Sequence, residues 1–542
     1  MRIFRVCLLL AIAHDVSAAG AGQEPWTQVR PEAIRSHVEF LADDLLEGRA
    51  AASRGYDIAA AYVASHFRQN GLRPTGDEET FFQAVPLVEA TPVLPGSSAE
   101  LVVTGKTQRF EYSTDYLPAA DFTSASSTLS APLVFAGFGV QAPELGHDDL
   151  ANVDVNGKIA IVFTGAPAKF PHNQRAFYSW SNGKFARLAE HGAVGALLID
   201  SPADAQRTPW ERSVAMSWTP QMRWVDRDGT PHNAFEQLKL RFRFNHAAAA
   251  RIFDSADHDF ASILATAEAG EVQGFDLPGL LTLSATTGLR RTEGINVVAT
   301  LPGTDLKDQY VVITAHLDHL GRGAAVNGDS TYNGAHDNAL GIGILLEMAR
   351  ALNASGARPR RSIVFVALTA EEKGLIGSDY FAANPPPPIE TIAANINIDM
   401  PLLLTPTSDL IVRGVEHSTL GPIARSAAAA QGYRLSIDPN PEEVAFIRSD
   451  QFSFIQRGIP AIVIGGGFKA RDKDVDALAL RTDFLRNHYH QPSDEIDLPM
   501  DFAGAADLAR VNLRIVLEVA NATRPPDWKP KDFFGGKFPR VR

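Results

Sequence analysis

The run Thr314-Ala-His-Leu-Asp-His-Leu320 constrains this chain more than any other feature. It closes the apolar stretch Tyr310-Val-Val-Ile-Thr314 with His316 and Asp318. Two more apolar stretches end in the same way. Ser362-Ile-Val-Phe-Val-Ala-Leu368 runs on to Glu371-Glu372, and Asn395-Ile-Asn-Ile398 runs into Asp399. Apolar runs separated by helical patterns (338–353, about 417–431, 450–457 and 502–520) read as strands of an α/β sheet covered on both faces. Such sheets bind ligands beyond the carboxyl ends of their strands, where these ionisable groups fall. Asp337, in Asn333-Gly-Ala-His-Asp-Asn338, and His490, in Tyr489-His-Gln-Pro-Ser-Asp494, bring the remaining charged groups.

Imidazole nitrogens and carboxylate oxygens are ligands for zinc, and a catalytic zinc site keeps one position open for water. One His, a bridging carboxylate and one Asp would hold a first ion; the same bridge, one Glu and a second His would hold another. Asp337 is the best candidate for the bridge. Adjacent carboxylates such as Glu371 and Glu372 raise each other's pKa unless a cation sits nearby. One of the pair, Glu372, is therefore expected as a ligand and Glu371 as a base, the pattern of a two-metal hydrolase. His316 and Asp318 stand two apart and are expected to point the same way, with Asp318 holding the second ring nitrogen of His316. Asp494 is given the like part beside His490. His319 is expected on the opposite face, and His336 as a bystander.

The chain has 542 residues, more than one core accommodates. Its net charge of -13 lacks the basic stripe that a nucleic-acid partner wants. Arg2 and Arg5 precede the apolar run 6–13, and Val16-Ser-Ala18 offers small residues for cleavage, so residues 1–18 read as an export signal and the mature protein as periplasmic or extracellular. The run is shorter than the ~20 residues a membrane span needs, and no membrane insertion is expected once the signal is removed. Cys7 is the only cysteine and would leave with the signal, so no thiolate ligand remains. Residues 25–122 are expected to form the N-terminal part of the domain that carries these groups. A β-rich, non-catalytic block comes next at 129–270, after the Ser/Thr-rich linker 123–128. The main α/β unit is placed at 285–525 and a tail at 526–542.

With these residues assembled, the chain resembles the di-zinc aminopeptidase and glutamate carboxypeptidase family of metallo-exopeptidases (clan MH), in its secreted bacterial form with an inserted protease-associated domain. The matching motifs are Ala-His-Leu-Asp-His-Leu-Gly, Gly-Ala-His-Asp-Asn-Ala-Leu-Gly, Thr-Ala-Glu-Glu-Lys-Gly, Asn-Ile-Asp-Met and Tyr-His-Gln-Pro-Ser-Asp. The resemblance implies a mostly parallel sheet sandwiched by helices, with the 129–270 block as the insert. It implies two zinc ions, one held by His316 and Asp399, the other by Glu372 and His490, with Asp337 bridging and joined to Asn338 by a cis peptide. Glu371 would be the general base, Asp318 the partner of His316, and Tyr489 the support for the oxyanion. Peptides would be the substrates, cleaved at a free N-terminus. Alternatives on the same scaffold are a carboxypeptidase, which needs cationic groups such as Arg448, Arg471, Lys473, Arg481 or Arg486 near the substrate, a one-zinc glutaminyl cyclase, and a receptor-like protein without catalysis. The chain departs from many relatives at Met400-Pro401 and in the long segment Lys469–Arg486, both expected near the substrate side chain.

Overall fold

A computed structural model describes residues 24–540 apart from Trp218, Asp257 and 441–444; the expected export signal and Cys7 lie outside the described residues. Every residue of the strand Arg361–Leu368 is buried, as its unbroken apolar run requires. It pairs in parallel with Leu306–His316, which pairs in parallel with Ile392–Asn397, and that strand in turn with Ala461–Gly466. Asp409–Arg413 follows in antiparallel orientation, and the short strand Arg434–Ser436 closes this side. Successive side chains go to opposite faces. Val311, Ile313, Ile363 and Phe365 enter a core shared with the helices Pro31–Leu41, Leu340–Ala354 and Phe502–Asn521. Val312, Val364 and Val366 enter a second core with Phe381 and Phe454 of the helices Ile376–Ala383 and Gln451–Ile455. The result is a mixed, largely parallel sheet with helices on both faces.

The helix Arg54–Gln69 is capped by Ser53 Oγ, which accepts from the Tyr56 amide, and it ends at Asn70-Gly71 as its sequence signals. A hairpin forms between Phe82–Val103 and Lys106–Phe110. One of its strands is much longer than the sequence suggests. Phe82–Val103 pairs along most of its length with Phe275–Leu301, a 27-residue strand. This ribbon carries the sheet from the C-terminal half into the 126–270 segment. There Ser126–Phe135, Ile159–Phe163, Gly195–Ile199 and Leu240–Phe244 continue it in parallel. Among its described residues the segment also holds six α-helices, from His172–Ser179 to Phe260–Ala269, and a core of its own around Phe135, Phe163 and Phe253. Its character is therefore mixed α/β, with more helix than its Gly- and Pro-punctuated pattern indicates.

Arg49, in the polar loop Glu47-Gly-Arg-Ala50, is 1% exposed. Its guanidinium donates to the carbonyls of Leu41, Leu317 (3.0 Å), Asn333 (2.6 Å) and Gly334 (3.1 Å). One side chain thus ties the first helix to the end of the strand at His316 and to the loop before Asp337. Replacing it with Ala leaves several buried carbonyls without donors, each costing about 1–3 kcal/mol. Arg49→Ala is expected to lower the thermal midpoint by roughly 5–10 °C, measured by differential scanning calorimetry; an unchanged midpoint contradicts this role.

Candidate metal centre

The strand Leu306–His316 delivers His316 at its carboxyl end, buried. Its Nε2 lies 3.2 Å from Asp337 Oδ1 and 3.1 Å from Asp399 Oδ1. Asp399 comes just after the neighbouring strand Ile392–Asn397. Asp337 sits in a tight turn at Ala335–Ala339, ahead of the helix Leu340–Ala354, and its peptide bond to Asn338 is cis. Its second oxygen, Oδ2, faces His490 Nε2 at 3.3 Å, and that nitrogen lies 3.0 Å from Glu372 Oε2. Asp337 therefore stands between two groups, His316 with Asp399 and His490 with Glu372. Glu371, next in the chain to Glu372, lines the same cavity with Tyr489, whose ring lies 3.8 Å, centroid to centroid, from that of His490. Seven of the residues singled out in the sequence, His316, Asp337, Glu371, Glu372, Asp399, Tyr489 and His490, meet here.

Asp318 acts differently from the expectation. The second ring nitrogen of His316, Nδ1, lies 3.1 Å from the backbone carbonyl of Asp318, not from its carboxylate. That carboxylate accepts instead from the amides of Glu371 (3.0 Å) and Glu372 (3.3 Å). Asp494 shows the same logic: it accepts from the amides of His336 (2.9 Å) and Asp337 (3.0 Å) rather than from His490. Each of these buried acids fixes the backbone of a loop that carries acids into the site. Burial pushes Asp318 up to about 6 and Asp494 up to about 7.

His319 lies on the opposite side from the one its position in the sequence suggests. It is wholly buried, and its Nδ1 lies 2.7 Å from Glu372 Oε1 and 3.9 Å from Asp337 Oδ2. The regular strand ends at His316, so the two-residue alternation that would send His319 outward no longer holds; its amide donates to the Arg49 carbonyl and turns the ring inward. The end of the β-run at Leu317 is the only signal for this. His336 stays outside the cluster, edge-on to Phe484 at 5.0 Å.

The electrostatics reflect four carboxylates around one cavity. Burial raises Glu371 well above the ordinary range; His316 opposes this, while Asp399 and Glu372 add to it. Burial would also raise Glu372, but His490 and His319 outweigh it and hold this carboxyl well below its usual value. His316 and His490 likewise hold Asp337 at about 2 against burial and Glu372, and Glu372 with Asp337 lifts His490 to about 9 against burial. The combinations His316–Asp337–Asp399, His319–Asp337–Glu372 and His316–Glu371–Glu372 each bring ligand atoms within 4.8 Å of one another. Imidazole and carboxylate donors without a thiolate suit zinc, and they also suit other divalent first-row metals.

The 126–270 segment reaches this site. Arg212, in its helix Trp210–Met216, donates to the Tyr489 carbonyl, and its guanidinium lies 5.9 Å from the centre of the Tyr489 ring.

Residues 296–516 match the model of Peptidase family M28. Leupeptin-inactivating enzyme 1 of Streptomyces exfoliatus is 29% identical over 198 residues, 36% of this chain and 41% of that protein. Transferrin receptor protein 1 of Gallus gallus is 25% identical over 281 residues, 48% of this chain and 34% of the receptor. The chain thus spans less than half the length of these curated relatives. An aminopeptidase from Aneurinibacillus sp. strain AM-1 superposes with a TM-score of 0.51 at 19% identity, covering 95% of this chain and 99% of that one, a likeness of fold. The sheet, its helices and the acids past its strand ends define a metallopeptidase type of α/β unit. Over residues 296–516 this unit is similar to peptidase family M28.

Groups that orient a ligand by hydrogen bonding contribute about 10–100-fold to metal affinity. His319→Ala is expected to weaken zinc binding by about that factor, measured by competition with a chromophoric chelator; wild-type affinity would show that His319 does not support Glu372.

Proposed function

We propose that the protein is a di-zinc exopeptidase that removes N-terminal residues from peptides. The observation that carries this reading is the placement of Asp337 between two His–carboxylate groups, with Glu371 beside them and lining the cavity. His316 and Asp399 would hold one zinc ion, Glu372 and His490 the other, and Asp337 would serve both. Bound there, zinc supplies Lewis acidity, polarising a carbonyl and acidifying water.

Glu371 then has the role of proton carrier. Its carboxylate takes the proton from the attacking water and hands it to the leaving amine. A carboxyl whose pKa burial raises is suited to hold that proton between the two transfers. Asp318 fixes the height of Glu371 above the strand ends through its amide. The Tyr489 hydroxyl, which burial keeps protonated, donates to the oxygen that gains charge as the carbonyl is attacked. Arg212 positions that tyrosine from the 126–270 segment.

A second reading, removal of C-terminal residues, draws on Arg448 and Arg481, which line the same cavity. N-blocked peptides separate the two: cleavage only of peptides with a free amino group supports the aminopeptidase. Export to the periplasm or cell exterior is part of the proposal and rests on the N-terminal pattern; among the described residues no helix is long and apolar enough to cross a membrane.

Glu371→Gln keeps the shape of the site and removes the base. Turnover of an aminoacyl anilide is expected to fall by at least about 10²–10⁴-fold while zinc content, read by atomic absorption on the same sample, stays at the wild-type level. Near-normal turnover would remove Glu371 from the mechanism.

A further inference from the structure

Two parts of the chain wall the cavity around the acid cluster, the 126–270 segment with Arg212 and Met216 and the C-terminal half with Ala445 and Ser449. The tail that follows residue 525 packs against both. Its short helix, Phe533–Lys537, is capped by Asp532, whose Oδ1 accepts from the Gly535 amide at 2.9 Å. Asp532 Oδ2 lies 2.7 Å from His417 Nδ1, and both side chains are buried. Trp528 Nε1 donates to the Gly458 carbonyl at 3.0 Å. The Lys529 amide donates to the His417 carbonyl, and the Thr419 amide to that of Asp527.

Phe534 is wholly buried where the three parts meet. Its ring lies 5.4 Å from Phe446 and 4.9 Å from His417 of the C-terminal half. It lies 6.4 Å from Phe177, in the helix His172–Ser179 of the 126–270 segment. Phe177 also meets Phe533 at 5.5 Å and Phe538 at 5.8 Å. At the rim, Lys537 Nζ stands 3.4 Å from Glu144 Oε2 and over the ring of Tyr178 at 5.5 Å. A buried ring in an apolar cluster contributes more than a half-exposed ion pair, so Phe534 governs whether the tail stays docked. Phe446 belongs to the turn Ala445–Ile447, whose first residue lines the cavity. Direct fastenings of the segment to the C-terminal half include Trp224, whose Nε1 donates to Asp379 Oδ2 at 2.8 Å, and Arg212 on the Tyr489 carbonyl.

We propose that the tail is a strap that holds the 126–270 segment against the C-terminal half, and that Phe534 is thereby a positioning residue for Tyr489, acting through Arg212. The effect on turnover rests on the peptidase reading and deepens it; the docking itself rests on the packing alone. With the strap lifted, the segment moves about the ribbon of Phe82–Val103 and Phe275–Leu301 that joins it to the rest. Arg212 then leaves the Tyr489 carbonyl, and the tyrosine hydroxyl loses its aim at the oxygen that gains charge. An interaction made only in the transition state lowers kcat when it is lost and leaves KM nearly unchanged.

The test uses the full zinc-loaded chain carrying Phe534→Ala. Its kcat on an aminoacyl anilide is expected to fall by at least about tenfold, with KM within about twofold of wild type. Amide exchange in the helix His172–Ser179, followed by mass spectrometry, is expected to quicken by about 100-fold or more. Phe534→Leu is expected to restore most of both. Phe67→Ala, in the core beside Phe365, controls for lost stability and is expected to keep the wild-type kcat below its thermal midpoint. In an Arg212→Ala background, Phe534→Ala is expected to lower kcat by less than about twofold further, because the two act through one contact. If Phe534→Ala does not fold, Lys537→Glu sets like charges together at Glu144 and is expected to quicken the same exchange severalfold, with Glu144→Lys reversing it. Unchanged exchange in the tail variants overturns the proposal, as do losses in kcat that multiply fully with that of Arg212→Ala. Quickened exchange in a chain whose wild type hydrolyses no peptide keeps the strap and sinks the peptidase reading; peptide hydrolysis that Phe534→Ala leaves unchanged does the reverse.

Discussion

Four carboxylates, those of Asp337, Glu371, Glu372 and Asp399, line one cavity, and this crowding governs the rest of the structure. Like charges at such separations cannot all ionise in a low-dielectric pocket unless positive charge is placed among them. Two imidazoles, of His316 and His490, supply part of it, and His319 lies 2.7 Å from Glu372. The alternation in the carboxyl groups, with Glu371 pushed up and Asp337 and Glu372 pulled down, is the response of the protein alone. Divalent cations would complete the balance, which makes the cluster intelligible as a ligand set and Glu371 as the group left to carry protons.

Holding mutually repelling groups together requires a rigid frame. Parallel strands buried on both faces provide its floor, since each ends at nearly the same level and opens into a loop. The loops are fixed by buried polar groups acting on backbone. Asp318 grips the amides of Glu371 and Glu372, and Asp494 those of His336 and Asp337. Arg49 gathers four carbonyls from the first helix, the strand end and the 333–334 loop, and the fields of Asp494 and Asp318 favour its charge against burial. Acids that bind amides and an arginine that binds carbonyls set the positions of side chains that never touch them.

Much of this is legible in the sequence, because it depends on periodicity and on the residues that close each strand. The buried strands, their covering helices and the convergence of His316, Asp337, Glu371, Glu372, Asp399 and His490 all accord with apolar runs and their endings. The features that escape depend on backbone direction after regular structure stops. His319 turns inward because the strand ends three residues earlier, and the Asp318 carboxylate meets amides 53 and 54 positions away in sequence instead of its neighbour's ring. The 27-residue strand Phe275–Leu301 reads as separate pieces, since its middle is polar and Gly-containing and its partner Phe82–Val103 lies nearly 200 residues earlier. The part played by the 126–270 segment is also hidden. No cluster of metal-binding residues marks it in the sequence, and Arg212 reaches the Tyr489 carbonyl only when folding brings the two together.

The most direct test of a shared-carboxylate, two-ion centre is anomalous diffraction at the zinc edge from crystals grown with excess zinc. The account predicts two peaks, one contacted by His316 and Asp399, the other by Glu372 and His490, with one oxygen of Asp337 directed at each and Glu371 bound to neither. A single peak, peaks away from these five side chains, or Glu371 itself as a ligand would contradict it.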